Sequence, residues 1–69
     1  EIVIDKSSPV SGKKLRDIGL PPGVLVALIS REGELHVPFG DTQILPGDTV
    51  LLFASSKILP KAVEILGVQ

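Results

Sequence analysis

The residues able to do chemistry in this 69-residue chain are few, and they lie in its central part, residues 24–53. Asp41 and Asp48 could form a carboxylate pair for acid–base catalysis or metal binding, and His36 is the only histidine. Each aspartate follows a glycine in a turn sequence, where aspartate side chains accept hydrogen bonds from nearby backbone N–H groups. His36 can titrate near neutral pH or contact a ligand, but a lone histidine needs ligands from elsewhere to hold a metal. We therefore predict turn roles for both aspartates and a structural or exposed position for His36, and we expect no metal site.

Covalent catalysis and phosphate-loop chemistry are both disfavoured. The chain has no cysteine, and its serines lack both a second histidine-like base and a GxSxG element. Gly33, Gly40 and Gly47 have neither the spacing nor the strand-to-helix context of a phosphate-binding loop. We therefore expect a protein that is not an enzyme.

The composition predicts one small domain with an aliphatic core. Hydrophobic residues make up 43% of the chain, and only Phe39 and Phe53 are aromatic. A domain of about 60 residues buries only about 60% of the surface of its unfolded chain, so small domains usually rely on a disulfide, a metal or a partner. Because cysteine is absent, oligomerisation is the remaining source of stability, and we expect a partner chain.

Charge and hydropathy argue against two further classes of protein. The net charge is −1 with no block of like charge, whereas a nucleic-acid surface needs clustered lysine and arginine. A small barrel-like nucleic-acid binder is therefore disfavoured. The longest apolar run has six residues, 24–29, against about 20 for a spanning helix, so we expect no direct membrane insertion. The chain lacks an initial methionine and a signal-peptide pattern, and we interpret residues 1–69 as a single domain of a longer cytoplasmic protein.

The periodicity of the chain predicts the element order β-α-β-β-β-α, an α+β domain with a mostly antiparallel sheet. The predicted strands cover residues 1–5, 24–30, 35–37 and 49–54, and the predicted helices cover 11–19 and 57–66. In the second strand, alternation puts Val26 and Leu28 on one face and Leu25, Ala27 and Ile29 on the other. A strand that is apolar on both faces is typical of one covered on both sides. Helices can cover one face of this sheet, and a partner subunit can cover the other.

Glycine, proline and serine mark the expected turns and caps. Gly33 favours a tight hairpin over residues 31–34, and Pro46-Gly47 fits a type II turn. Ser11 is the expected cap of the first helix, and Ser55 or Ser56 that of the second. In the second helix, Pro60 fits only in the first turn and Gly67 follows the end. The cationic face of the first helix, Lys13, Lys14 and Arg16, is either solvated or faces an anion.

Several motifs follow one another in a recognisable order. They are GKKLRD at 12–17, VALISR at 26–31 leading into Gly33, PFGDT at 38–42, and ILPGD at 44–48 before VLLF at 50–53. In this order and spacing the chain resembles the TrkA-C or RCK_C domain, the C-terminal regulatory domain of TrkA/RCK-type potassium transport proteins and related cation transporters. The resemblance extends from Glu1 to Gly67.

The resemblance implies a dimer-forming domain on the cytosolic side of a potassium or other cation channel, transporter or antiporter. Such domains bind small effectors, in some members cyclic di-AMP held in a cleft between two copies. The positions equivalent to that cleft are Leu25, Val26, Arg31, His36 and Pro38. Leu25, Val26 and Pro38 would supply an apolar wall, Arg31 would pair with a phosphate, and His36 would donate a hydrogen bond.

The composition also departs from this mode of binding. The chain has no asparagine to contact an adenine edge and neither tyrosine nor tryptophan, so base stacking is expected only on arginine or histidine planes. Three hypotheses follow: a domain that senses cyclic di-AMP, a domain that senses another small effector, and a pure self-association domain without a ligand. We expect no cofactor in any of the three.

Overall fold

The computed structural model describes residues 1–67, which form a four-stranded antiparallel sheet with a C-terminal helix. The strands are β1 (Ile2–Val3), β2 (Leu25–Arg31), β3 (Glu34–His36) and β4 (Thr49–Phe53), in the spatial order β1-β4-β2-β3. They are accompanied by a 3-10 helix, Leu15–Asp17, and the α-helix α1, Leu59–Leu66. The predicted α+β class and antiparallel sheet are confirmed. The last two residues of the predicted domain 1–69 lie outside the described residues.

The core lies on one face of the sheet and is aliphatic, as predicted. Ile29 and Val50 are register partners on β2 and β4, and neither is exposed to solvent. Ile2 pairs with Val50 from β1, and α1 contributes Ala62 and Leu66 to the same core. The alternation predicted for the first strand is confirmed because Ile2 is buried while Val3 is 63% exposed.

A bulge in β2 changes which of its side chains share a face. Between Val26 and Leu28 the register advances two residues along β2 but only one along β4, so Ala27 is the extra residue of a β-bulge. Val26 and Ile29 consequently both pack toward the core, whereas Leu25 and Leu28 lie on the opposite face. The prediction that Val26 and Leu28 share a face is wrong because strict alternation does not allow for the extra residue.

The predicted helix over residues 11–19 is also wrong, apart from the short 3-10 helix at its centre. Backbone N–H groups of residues 12, 15 and 16 donate to the carbonyls of residues 44, 42 and 40, and the N–H of residue 44 donates to the carbonyl of residue 13. Since these groups are hydrogen-bonded to the segment 40–44, they are not available for helical bonds. The cap of the 3-10 helix is Lys14, without a side-chain hydrogen bond, in place of the predicted Ser11.

The second helix begins two residues later than predicted, at Leu59. The Ser55 carbonyl accepts hydrogen bonds from the N–H groups of Ile58 and Leu59, which forms a turn before the helix, and the predicted serine side-chain cap is not formed. Pro60 lies in the first turn and Gly67 follows the end in a left-handed conformation, as predicted.

The β2–β3 hairpin has a strained residue that offers a test of the fold. Glu32 and Gly33 both have positive φ, 50° and 83°, as in a type I′ turn, where Asn-Gly is the preferred pair. A glutamate in the left-handed region is disfavoured relative to asparagine. We expect Glu32→Asn to raise the free energy of unfolding by about 0.5 kcal/mol, measured by urea denaturation. A matched Glu34→Asn change, on β3, should give no such gain, and a destabilised Glu32→Asn chain would contradict the type I′ assignment.

Candidate functional site

The sheet face opposite the core, here called the outer face, is largely apolar. Nearest the hairpin it carries Val3, Thr49, Ser30 and Leu35 in one row across the four strands. The cross-strand pairs Leu28 with Leu51 and Leu25 with Phe53 follow toward the other end of the sheet. The outer face therefore consists of eight side chains, of which only the two hydroxyls are polar.

The outer face is also exposed. Val3, Leu25, Leu35 and Phe53 are 59–69% exposed, and Val37 and Phe39, which follow Leu35 at alternate positions, are similarly exposed. The remaining exposed large hydrophobic residue among residues 1–67 is Leu59 on α1. Contiguous apolar surface of this kind marks a site of interaction with another molecule.

At the hairpin end of the sheet, on the core side, Arg31 makes a bidentate ion pair with Asp48. Arg31 Nε donates to Asp48 Oδ1 at 2.9 Å, and Arg31 Nη2 donates to Asp48 Oδ2 at 2.8 Å. Nη2 also donates to the Gln43 carbonyl at 3.0 Å. The Asp48 residue has no exposed surface, whereas the Arg31 side chain is 32% exposed. The pair therefore joins the end of β2 to the connection that precedes β4.

Asp48 has the predicted turn role together with this ion pair. Its Oδ2 accepts a hydrogen bond from the Leu45 N–H at 2.9 Å, across the Pro46-Gly47 turn in which Asp48 N–H donates to the Leu45 carbonyl. Burial alone would raise the pKa of Asp48, but hydrogen bonds from Arg31 and Leu45 and the nearby positive charge hold that pKa below its ordinary value. The carboxylate is therefore ionised at neutral pH.

Asp41 has a different environment from Asp48. It is exposed, and the side chain that accepts a backbone hydrogen bond in its turn is that of Thr42, whose Oγ1 accepts from the Phe39 N–H at 2.8 Å. The two aspartates thus occupy separate turns in separate environments. A catalytic carboxylate pair is not formed by these residues.

His36 lies beside Arg31 on the neighbouring strand. The register pairs His36 with Ile29 and Glu34 with Arg31, so that His36 and Arg31 are diagonal neighbours, about 7–8 Å apart in such a ladder. The His36 side chain is 41% exposed, and its Nε2 is 3.9 Å from Glu34 Oε2. Arg31, Glu34, His36 and Asp48 therefore form a cluster of ionisable side chains at the hairpin end, here called the hairpin cluster.

The structure brings only part of the predicted site together. Arg31 and His36 are adjacent, but Leu25 is at the other end of β2, roughly 20 Å from Arg31 by the rise of a strand, and on the outer face. Val26 is half-buried against the core, and Pro38 is half-buried just beyond β3. One copy of the chain therefore does not gather the five residues around one small ligand.

Sequence reasoning missed an aromatic side chain at the Leu25 end of the sheet. Phe53 is the register partner of Leu25 and is 59% exposed. The expectation that only arginine or histidine planes could stack on a base is corrected, because both phenylalanines are exposed. The sequence signal for it is that Phe53 is the one aromatic residue of the predicted strand 49–54.

In residues 1–67 the acidic and histidine side chains are dispersed and the helices are short. Histidine, aspartate and glutamate side chains in this part of the chain form no group of three or more that could hold a metal ion. The same residues include no helix of the length and apolarity that crossing a bilayer requires.

The chain is similar to known domains over nearly its whole length. The family model of the TrkA-C domain matches residues 1–67. A Trk system potassium uptake protein TrkA homolog from Archaeoglobus fulgidus is 31% identical over 67 residues, which is 97% of this chain and 15% of that protein. The chain thus spans a small part of that relative's length.

Two solved structures share the fold. One is an RCK domain with cda, with a TM-score of 0.80 and 23% identity, covering 94% of this chain and 91% of that one. The other is the RCK_C domain dimer of S. agalactiae BusR in complex with c-di-AMP, with a TM-score of 0.84 and 18% identity. That match covers 99% of this chain and 93% of the BusR chain, so the two folds correspond over nearly their whole length.

Proposed function

The chain belongs to the TrkA-C domain family, and we propose on this premise that it is a non-catalytic regulatory domain. Its parent would be a potassium or other cation channel, transporter or antiporter, with this domain in the cytoplasm. A relative in this family is a potassium uptake protein. The domain would bind a small effector as a homodimer and pass the change to the transport protein.

The observation that carries this proposal is the exposed outer face. Four large hydrophobic side chains on one sheet face, each 59–69% exposed, indicate a surface that is covered by another chain. We propose that a second copy covers it, in an isologous contact in which the same patch is used by both copies. The RCK_C domain of BusR, which shares the fold, is described as a dimer.

The proposed effector is cyclic di-AMP or another small ligand of similar chemistry. Leu25, Val26, Arg31, His36 and Pro38 would contact it. Because Leu25 and Arg31 lie at opposite ends of β2, two-fold symmetry can supply what one copy cannot. Two-fold symmetry can bring the Leu25 end of one copy to the hairpin end of the other. Because Arg31 and His36 lie on the core side of the sheet, they would reach the ligand there around the edge formed by β3.

Regulation in this arrangement follows from linkage. An effector can shift the attached transport protein only by the difference in its affinity for two arrangements of the domain pair. The transport protein's state must in turn change the affinity for the effector by the same factor. A site divided between two copies meets this requirement because any change in their separation changes the contacts of the ligand.

The proposal is tested by titrating the chain calorimetrically with cyclic di-AMP while its mass is followed by sedimentation. We expect a dimer that binds one cyclic di-AMP per two chains, with an affinity in the micromolar range that corresponds to roughly −8 kcal/mol. Linear AMP and cyclic di-GMP serve as control ligands. A dimer that gives no heat with any nucleotide at millimolar concentration would reject the nucleotide effector.

A pure self-association domain is the alternative that the outer face also favours. In that case the dimer forms through the outer face, and the hairpin cluster has only a structural role. The same experiment separates the two functions, because the alternative predicts a dimer that binds no small ligand.

A further inference from the structure

The ion pair with Asp48 occupies one edge of the Arg31 guanidinium. Arginine has five N–H donors in a rigid planar fork. Nε–H and one Nη2–H are donated to the Asp48 carboxylate, and the second Nη2–H is donated to the Gln43 carbonyl. Among the hydrogen bonds of residues 1–67, none involves Nη1, which projects from the opposite edge of the fork. A ligand that leaves these bonds intact therefore has only the Nη1 edge of Arg31 available.

In this ion pair the acceptor, Asp48, is held more firmly than the donor, Arg31. Asp48 has no exposed surface and is held a second time by the Leu45 N–H at 2.9 Å. It also directly precedes β4, whose first two residues pair with both β1 and β2. Arg31, in contrast, keeps 32% of its side chain exposed. The carboxylate therefore sets the direction of the guanidinium.

We infer that Asp48 is a positioning residue of the effector site, which orients Arg31 so that its Nη1 edge binds a phosphate oxygen while the Arg31–Asp48 pair stays intact. This inference rests on the proposed function. Since the Asp48 carboxylate compensates the charge of the Arg31 guanidinium, binding of the phosphate depends more on directed hydrogen bonds than on the net charge of the site. The affinity for an anionic effector should accordingly change little with ionic strength, unlike that of a site built from unpaired surface cations.

The first test uses the unmodified chain and nuclear magnetic resonance of its arginine side chains. Arg16 and Arg31 are the only arginines, and Arg16 is exposed, so it serves as an internal reference. Before ligand is added, Arg31 Nε–H should exchange with solvent far more slowly than Arg16 Nε–H. With saturating cyclic di-AMP, the Arg31 Nη1 signal should shift and the Arg31 Nε signal should stay in place.

Other outcomes of this test overturn the inference in distinguishable ways. A shift of the Arg31 Nε signal as large as that of Nη1 means that the ligand displaces Asp48. Calorimetric binding without any change at Arg31 means that the effector site lies elsewhere. The inference and the proposed contact at Arg31 then fail, while a regulatory domain that binds an effector stands. Absence of binding by both methods rejects the nucleotide effector and the inference with it.

The second test is a double-mutant cycle on affinity. Asp48→Asn should weaken cyclic di-AMP binding by about tenfold in the natural chain but by less than about twofold in an Arg31→Gln background. Arg16→Gln is the matched control and should leave the affinity unchanged. An equal loss in both backgrounds would mean that Asp48 acts through the fold alone. If either variant fails to fold, the nuclear magnetic resonance experiment on the unmodified chain still tests whether Arg31 binds the ligand with Asp48 in place.

Discussion

Replacing Leu25 or Leu35 by lysine is expected to dissociate the dimer that we propose. Both side chains lie on the outer face and are 61% and 69% exposed, so the fold of one copy should tolerate the change. In the dimer, however, an ammonium group would be removed from water without a partner, at a cost of several kcal/mol. Each change should raise the dimer dissociation constant by at least about thirtyfold, which corresponds to roughly 2 kcal/mol. Sedimentation velocity over a range of concentrations measures this constant.

The control for this experiment is Leu59→Lys. Leu59 is also an exposed leucine, at 38%, but it lies on α1 rather than on the outer face. This variant should dimerise as the natural chain does, and circular dichroism should show the same fold in all three variants. Lysine variants that keep the natural dissociation constant, or a natural chain that is monomeric at high micromolar concentration, would exclude the outer face as the contact.

The sheet could be predicted from sequence because its signals are local. The alternation of Ile2 and Ile4, the hairpin at Gly33 and the turn at Pro46-Gly47 each depend on neighbouring residues. The sequence wrongly predicts a helix for the segment 11–19 because Ser11, Leu15 and Ile18 fit a helix locally. Its backbone bonds to residues 40–44, far away along the chain, and no local pattern indicates such pairing.

The site was less predictable than the fold because it depends on strand register. The sequence predicts a polar Arg31 at the hairpin and a turn role for Asp48, but it does not predict that the two pair. Ser30 is the partner of Thr49, so the ladder places Arg31 opposite Asp48 once β2 and β4 are aligned. The bulge at Ala27 shows why such an alignment cannot be extended by alternation alone. One extra residue transfers the rest of the strand to the other face.

Replacing Arg31 and replacing Asp48 are expected to lower the stability of the fold by different amounts. Arg31→Met leaves a carboxylate with no exposed surface and without its cationic partner, so we expect a loss of about 3 kcal/mol in the free energy of unfolding at pH 7. Asp48→Asn keeps an acceptor for the Leu45 N–H, and the partly exposed Arg31 can reach water, so a loss of about 1 kcal/mol is expected. Urea denaturation of both variants measures the difference, with Arg16→Met as the control for loss of an exposed arginine.

The pH dependence of stability tests whether the unpaired Asp48 carboxylate causes the larger loss in Arg31→Met. In the natural chain the pKa of Asp48 is lowered from 3.8, so its contribution to stability is fully present above about pH 5 and is lost as the pH falls below that ordinary value. In Arg31→Met the hydrogen bonds and charge of the arginine are absent, burial dominates, and we expect the pKa of Asp48 to rise. The protonated acid is then the more easily buried form, which favours the folded variant in acid.

The gap in unfolding free energy between the natural chain and Arg31→Met should therefore narrow from pH 7 to pH 3. A gap that stays constant would mean that the methionine variant is destabilised by altered packing and that Asp48 carries no unpaired charge in it.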